Sequence, residues 1–240
     1  MKKLMVLVLV ATLLVSGLMT GCVGVRVEGS GTIVTETFDF SDFTNVETRN
    51  GIQVELVESS TFKVELIVDD NVLEHINVNK SGDTLRIIPK SNTAFRHATL
   101  SARISMPELS KLELSGGSHA TITGFKSSND LSVKLSGGSH MAQSDITAGD
   151  VNFNLLGGSH VTLSGSANDI DIKGSSGSHI TLTTFSVRNA DVNLSGGSHA
   201  TVNVDGTLNV DISGGSEVIY IGEPTIGKQD VAWDSDLTKK

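Results

Sequence analysis

Five histidines, His119, His140, His160, His179 and His199, each end a copy of one pentapeptide and follow one another at intervals of 21, 20, 19 and 20 residues. Imidazole nitrogen is a common ligand for zinc, copper and nickel, so histidines gathered by a repeat form a candidate transition-metal array. The first copy reads Ser115-Gly116-Gly117-Ser118-His119, and the series closes as SGGSE at Glu217, 18 residues after His199. A period near twenty is that of a solenoid whose repeats are single coils stacked on a shared core. At the spacing of neighbouring strands the five rings then form an outward column about 19 Å long. Rings one strand apart can share an ion by choice of rotamer.

The same column arises if the unit was simply duplicated and its polar rings stack as a solvated ladder that holds no ion. No acidic residue joins the column before Glu217, and no coil supplies a carboxylate at a fixed place behind the rings. Stacked rings without metal repel one another when protonated, which sets their pKa values below the ordinary 6.5 or so. A second outward column, Thr121, Thr162, Thr181 and Thr201, is interrupted by Ala142. Flat threonine arrays can order water as ice-binding surfaces do, but the pattern His-x-Thr-x-Thr or Ser is not a clean threonine pair.

The elements that position these residues follow from hydrophobic periodicity. Counting back from each histidine, apolar residues stand at minus nine, minus seven and minus five, as in Leu131, Val133 and Leu135 or Val151, Phe153 and Leu155. Period two means a strand with one buried face. Counting forward, Ala120 and Ile122, Val161 and Leu163, Ile180 and Leu182, and Ala200 and Val202 also face inward, so each histidine faces out. Between the strands the second residue of the glycine pair is glycine in every copy: Gly117, Gly138, Gly158, Gly177, Gly197 and Gly215. Such a corner needs positive φ or a close backbone approach. Turn formers such as Lys126-Ser127-Ser128-Asn129-Asp130 close the coils. Gln143 falls in an inward slot and Gly174 stands where other coils carry Leu or Ile, so the wall is irregular there or Gln143 finds a partner inside.

Parallel β-helices include polysaccharide lyases and hydrolases, which need a paired acid and base in a cleft, or a metal with a basic residue. The candidates, Asp150, Asp169, Asp171 and Asp191, lie in or near closing turns, where Asp is expected for turn chemistry. No long insertion walls a groove, so the chain reads as non-catalytic, with a carbohydrate-active enzyme as a lesser alternative.

Met1-Lys2-Lys3, an apolar run from Leu4 to Val15 and Thr20-Gly21-Cys22 describe an export leader ending in a sequence that resembles a bacterial lipobox. Cleavage before Cys22 would leave that residue to carry the lipid. It is the single cysteine, so a disulfide framework and a cysteine metal site are both excluded. The whole chain carries a formal charge of -9, and loss of Lys2 and Lys3 takes it to about -11. That balance argues against nucleic acid or a polyanionic lipid surface as partner. Aromatic residues make up 4%, which weakens the case for sugar binding by ring stacking.

From Val25 to Met106 strands continue without the pentapeptide: Gly51 to Val57, Phe62 to Val68 and Thr84 to Ile88 alternate as half-buried strands. Asp69 to Ile76 suits a helical turn and Ser81-Gly82-Asp83 a hairpin loop. This block is either a cap over the first coil or, the favoured reading, irregular early coils of one continuous β domain.

Phe43-Thr44-Asn45-Val46, Ile52 to Val57, Val64-Glu65-Leu66 through Asp69-Asp70-Asn71, Gly82 to Ile87, Met106-Pro107-Glu108-Leu109 and Val218 to Pro224 appear in an order that resembles the head-GIN domain family. The likeness runs from about residue 29 to 230. It implies an exported bacterial protein, often a lipoprotein, grouped with autotransporter adhesins, with a right-handed β-helix-like fold and no catalytic residue to transfer. The resulting expectation is an all-β protein, a right-handed parallel β-helix or solenoid of about 20 residues per coil with a less regular N-terminal part. Residues 1–21 are the lipoprotein signal peptide, 22–28 a short tether, 29–230 the solenoid domain with regular coils over 108–222, and 231–240 a C-terminal tail. It is anchored to a membrane through lipid and meets an envelope polymer or a surface protein.

Overall fold

The computed structural model describes residues 24–240, without the side chains of Gln143 and Ser144. The leader, lipidation at Cys22 and the inward slot of Gln143 therefore lie outside the described residues.

The N-terminal block contains β1 (Val25–Glu28), β2 (Ile33–Phe38), β3 (Asn45–Arg49), β4 (Gln53–Glu58), β5 (Lys63–Asp69), the single-turn α1 (Asp70–Leu73), β6 (Ile76–Ser81), β7 (Thr84–Pro89), β8 (Thr93–Arg96) and β9 (Leu100–Met106). The repeats supply β10 (Lys111–Ser115), β11 (His119–Lys126), β12 (Leu131–Ser136), β13 (His140–Thr147), β14 (Val151–Leu156), β15 (His160–Ser175), β16 (His179–Leu194), β17 (His199–Val204), β18 (Thr207–Ile212), β19 (Glu217–Ile221), β20 (Thr225–Val231) and β21 (Asp236–Lys239). In β15 and β16 the closing bend stays extended, so one long strand serves both walls of the coil.

Each coil contributes one strand to each of two parallel walls. The first runs β7, β3, β10, β12, β14, the second halves of β15 and β16, β18 and β20. The second runs β9, β4, β11, β13, the first halves of β15 and β16, β17, β19 and β21. The N-terminal block thus combines both sequence readings. Strands β3, β4, β7 and β9 lie parallel within the stack as early coils. Strands β6 and β5 pair antiparallel with β7 and β9 and cover their outer edges, which would otherwise offer open templates for pairing, and β2 in turn pairs antiparallel with β5. The helical turn is α1, and the hairpin loop between β6 and β7 has Gly82 at φ 57°.

Two boundaries differ from the expectation. Val25–Glu28, read as part of a tether, is a strand paired with β8. Residues 231–240, read as a tail, include β21, which pairs with β19 and extends the coil stack. Their apolar periodicity is too short to register as a strand alone, and the pairing partner decides it.

The core is the inward residue of every second strand position, including Leu131, Val133, Leu135, Ile180, Leu182 and Val202, all buried. Each such side chain contributes about 1.5–3 kcal/mol on leaving water. The slot at Gly174 is not a gap: Leu194, one coil on in the same register, reaches to 2.8 Å of where a Cβ would stand and occupies it.

Candidate functional site

The corner between the walls sets the site. In each copy of the pentapeptide both residues of the pair have positive φ, for example 62° and 77° at Gly116 and Gly117, as a tight turn with two left-handed residues requires. The second glycine meets nothing within 4 Å of a hypothetical Cβ at Gly117, Gly138, Gly158, Gly177 or Gly197. Between the two reasons the sequence left open, backbone conformation is the operative one. Ser176 takes the first position at φ 58°, and Asn50-Gly51 repeats the corner in the preceding coil at 57° and 83°.

The next residue turns inward. Ser118, Ser139, Ser159, Ser178, Ser198 and Ser216 are buried, and each hydroxyl donates to the carbonyl three residues earlier over 2.7–3.0 Å. Toward the C-terminal end the same hydroxyls also accept: the Ser178 amide donates to Ser198 Oγ, Ser198 to Ser216 Oγ and Ser216 to Ser235 Oγ. Each serine carbonyl in turn receives the amide of the histidine-position residue one coil on, as in His199 N–H to Ser178 O over 2.9 Å. This serine spine was missed by the sequence reading, although the signal was present: serine precedes the outward slot in every copy.

One residue further on, the chain points outward. In register along the second wall stand Ser101, Gln53, His119, His140, His160, His179, His199, Glu217 and Asp236. The structure therefore brings all five histidines together as one column. Successive ring centroids are 5.6, 4.6, 5.4 and 4.7 Å apart, with planes within 15–18° of parallel. The spacing alternates: His140 sits over His160 and His179 over His199, while His119 stands off. Partial burial, then the charge that His160 and His119 would carry, hold His140 below the ordinary 6.5. Partial burial, then His199 and His160, do the same for His179, with Glu217 opposing. At the end of the column His199 Nε2 lies 3.8 Å from a Glu217 carboxylate oxygen, and its Nδ1 is buried without a hydrogen-bond partner.

In the threonine column Thr162, Thr181 and Thr201 are in register, and the row continues into Ile219; at the other end Thr121 stands beside Glu55 of β4. At the foot of the histidines, Gln53, Glu55, Ser101, Arg103, His119 and Thr121 line a shallow depression of about 220 Å³, crossed by the Arg103–Glu55 ion pair at 2.8 Å.

The aspartates weighed for catalysis are engaged elsewhere. Asp150 and Asp169 form a rung between turns, the Asp169 amide donating to the Asp150 carboxylate and Asn189 donating to Asp169. Asp191 accepts from Asn209 over 2.7 Å and Asp171 pairs with Lys173 at 3.2 Å. Asp150, Asp169 and Asp191 link successive coils, whereas the Asp171–Lys173 pair lies within one strand. Among the described residues no group of three or more His, Cys, Asp or Glu is poised to hold a metal ion.

A family model described as "Putative auto-transporter adhesin, head GIN domain" matches residues 42–224. A search of curated proteins found no match. Among solved structures, an adhesin-titled protein of Bacteroides fragilis aligns at TM-score 0.77 and 17% identity, covering 89% of this chain and 96% of its own. One from Parabacteroides distasonis, titled "Putative lipid binding protein", aligns at TM-score 0.73 and 18% identity over 90% and 99% of the two chains. An adhesin-titled protein of Parabacteroides merdae gives TM-score 0.68 at 17% identity, again over 90% and 99%. At these identities the likeness speaks for the fold alone, and none of the names is that of an enzyme.

Proposed function

Since the chain belongs to the head GIN domain family of auto-transporter adhesins, we propose that it is a non-catalytic adhesion module of the cell envelope whose contact face is the histidine-bearing wall. The observation that carries this is the occupancy of one slot. Ser101, Gln53, Glu217 and Asp236 stand in the same register as the five histidines without disturbing the strands, so the fold does not demand imidazole there. Five consecutive exposed or half-exposed rings on a flat parallel wall therefore belong to what the surface meets. A repetitive face suits a repetitive or extended partner, an envelope polymer or a surface protein. The leader pattern and Cys22 support export and a lipid anchor that presents this wall at a membrane surface.

Cosedimentation with isolated envelope polymers and surface-protein fractions tests the reading. The wild-type chain is expected to bind one of them, and a variant with all five histidines changed to Asn to lose at least tenfold in affinity. Equal binding by both removes the histidine wall from the contact, and no binding by the wild type overturns adhesion. Incorporation of labelled fatty acid into the wild type but not into Cys22→Ala checks the anchor.

A further inference from the structure

We infer that the histidine column is a two-ion site for borderline divalent transition metals, zinc or copper(II), in which each ion is clipped by one pair of successive imidazoles: His140 with His160, and His179 with His199. An ion held by two imidazoles at about 2.0–2.1 Å needs its two nitrogens about 3.3 Å apart in the tetrahedral shell of zinc and about 2.9 Å apart as neighbours in the tetragonal shell of copper(II). The rings of these two pairs already lie 4.6 and 4.7 Å apart, against 5.6 and 5.4 Å for the other two steps. These are centroid distances between near-parallel rings whose in-plane nitrogen lone pairs run side by side, so both rings of a pair must turn about their side-chain bonds for two nitrogens to converge on one ion, and the closer pairs need the smaller movement. That turn draws each ring away from its other neighbour, so a ring that serves one ion cannot serve the next. Five rungs then hold two disjoint pairs and one spare ring, and the spacing makes His119 the spare.

The two clips are not equivalent. Glu217 follows His199 in register, with a carboxylate oxygen 3.8 Å from Nε2; it is not poised as a ligand in the ring positions of the structure, but comes within reach of an ion in the second clip once the His199 ring has turned. The first clip has no acidic neighbour in the column, and water completes its shell. Turning the His199 ring sacrifices no hydrogen bond at Nδ1, which has no partner. Because the donors belong to outward side chains on a rigid backbone register, metal loading leaves the coil stack in place.

The spare-ring argument gives a parity test. The full chain is titrated with zinc alone and with copper(II) alone, the bound ions are counted by native mass spectrometry and calorimetry, and circular dichroism confirms that each variant is folded. Two ions per wild-type chain are expected. His119→Asn leaves four successive rings and still two ions. His140→Asn strands His119 and leaves three successive rings, hence one ion. Glu217→Gln keeps two ions but weakens one of them at least fivefold. Electron paramagnetic resonance of the copper form is expected to show two imidazole nitrogens per ion. A wild-type count other than two, or the same count in His119→Asn and His140→Asn, overturns the inference.

Discussion

Two columns run side by side along the corner of this solenoid, one residue apart in sequence, and they repeat for opposite reasons. The serine spine repeats because geometry requires it. Its side chains are buried, and each hydroxyl closes its turn by donating to the carbonyl three residues earlier, although the carbonyls of Ser115, Ser136 and Ser175 also receive a backbone amide. A buried polar group that loses its partner costs about 1–3 kcal/mol, so a serine in this slot is constrained by the fold most where its hydroxyl both donates and accepts, as at Ser198. The histidine column faces out, and the same slot in other coils accepts Gln53, Glu217 and Asp236. Repetition alone is therefore no sign of function. What distinguishes the histidines is that nothing in the packing asks for them.

The contrast is sharpest at Ser198 and His199. Ser198→Ala strands the carbonyl of Ser195 and withdraws the acceptor of the Ser178 amide. It is expected to cost about 1–3 kcal/mol in denaturant unfolding, whereas His199→Ala should stay within about 0.5 kcal/mol. If the two variants proved equally mild, the spine would be no more than a consequence of duplication. Gly197→Ala comes next. Its φ of 73° penalises any L side chain, but no atom lies within 4 Å of a Cβ there. The expected loss is the conformational cost alone, about 1–2 kcal/mol, and a larger loss of thermal stability would point to crowding at the corner.

A smaller effect separates the columns by pH. The folded chain binds protons at His140 and His179 less readily than the unfolded chain does, since partial burial and neighbouring rings hold both below 6.5. Their contribution to stability is thus present above pH 6.5 and is lost as pH falls through the lower folded-state values. Unfolding followed between pH 7.5 and 5.5 should show this decline in the wild type and less of it in the five-fold Asn variant. The corresponding NMR titration should place His140 and His179 below 6.5, and ordinary or raised values for both would contradict the stacked geometry. The smallest expected change is at neutral pH, where replacing all five histidines by Asn should leave the melting temperature nearly unaltered.

Much of the scaffold was legible before any coordinates. The spacing of the pentapeptide and the alternation of Leu131, Val133 and Leu135 required strands stacked in register, and the repeat carried every histidine to the same outward slot. In the N-terminal block the strands, the helical turn and the hairpin loop were legible, but not which strands stack and which cap. That β5 turns antiparallel to cap β9 while β4 continues the stack depends on which edges remain unpaired, a property of the assembled sheet. The short strand Asp236–Lys239 was invisible for a similar reason, because the edge of β19 extends it.

The sequence by itself determined the coil, the direction each side chain faces and the existence of a histidine column, because a period of two within strands and of about twenty between them leaves little freedom. Only the tertiary structure decided the alternating ring spacing, the 3.8 Å approach of the Glu217 carboxylate to His199 Nε2, the burial that lowers His140 and His179, and the hydrogen-bonded role of the serines. These depend on ångström-scale packing between residues about twenty apart in the chain, and periodicity carries no such distance.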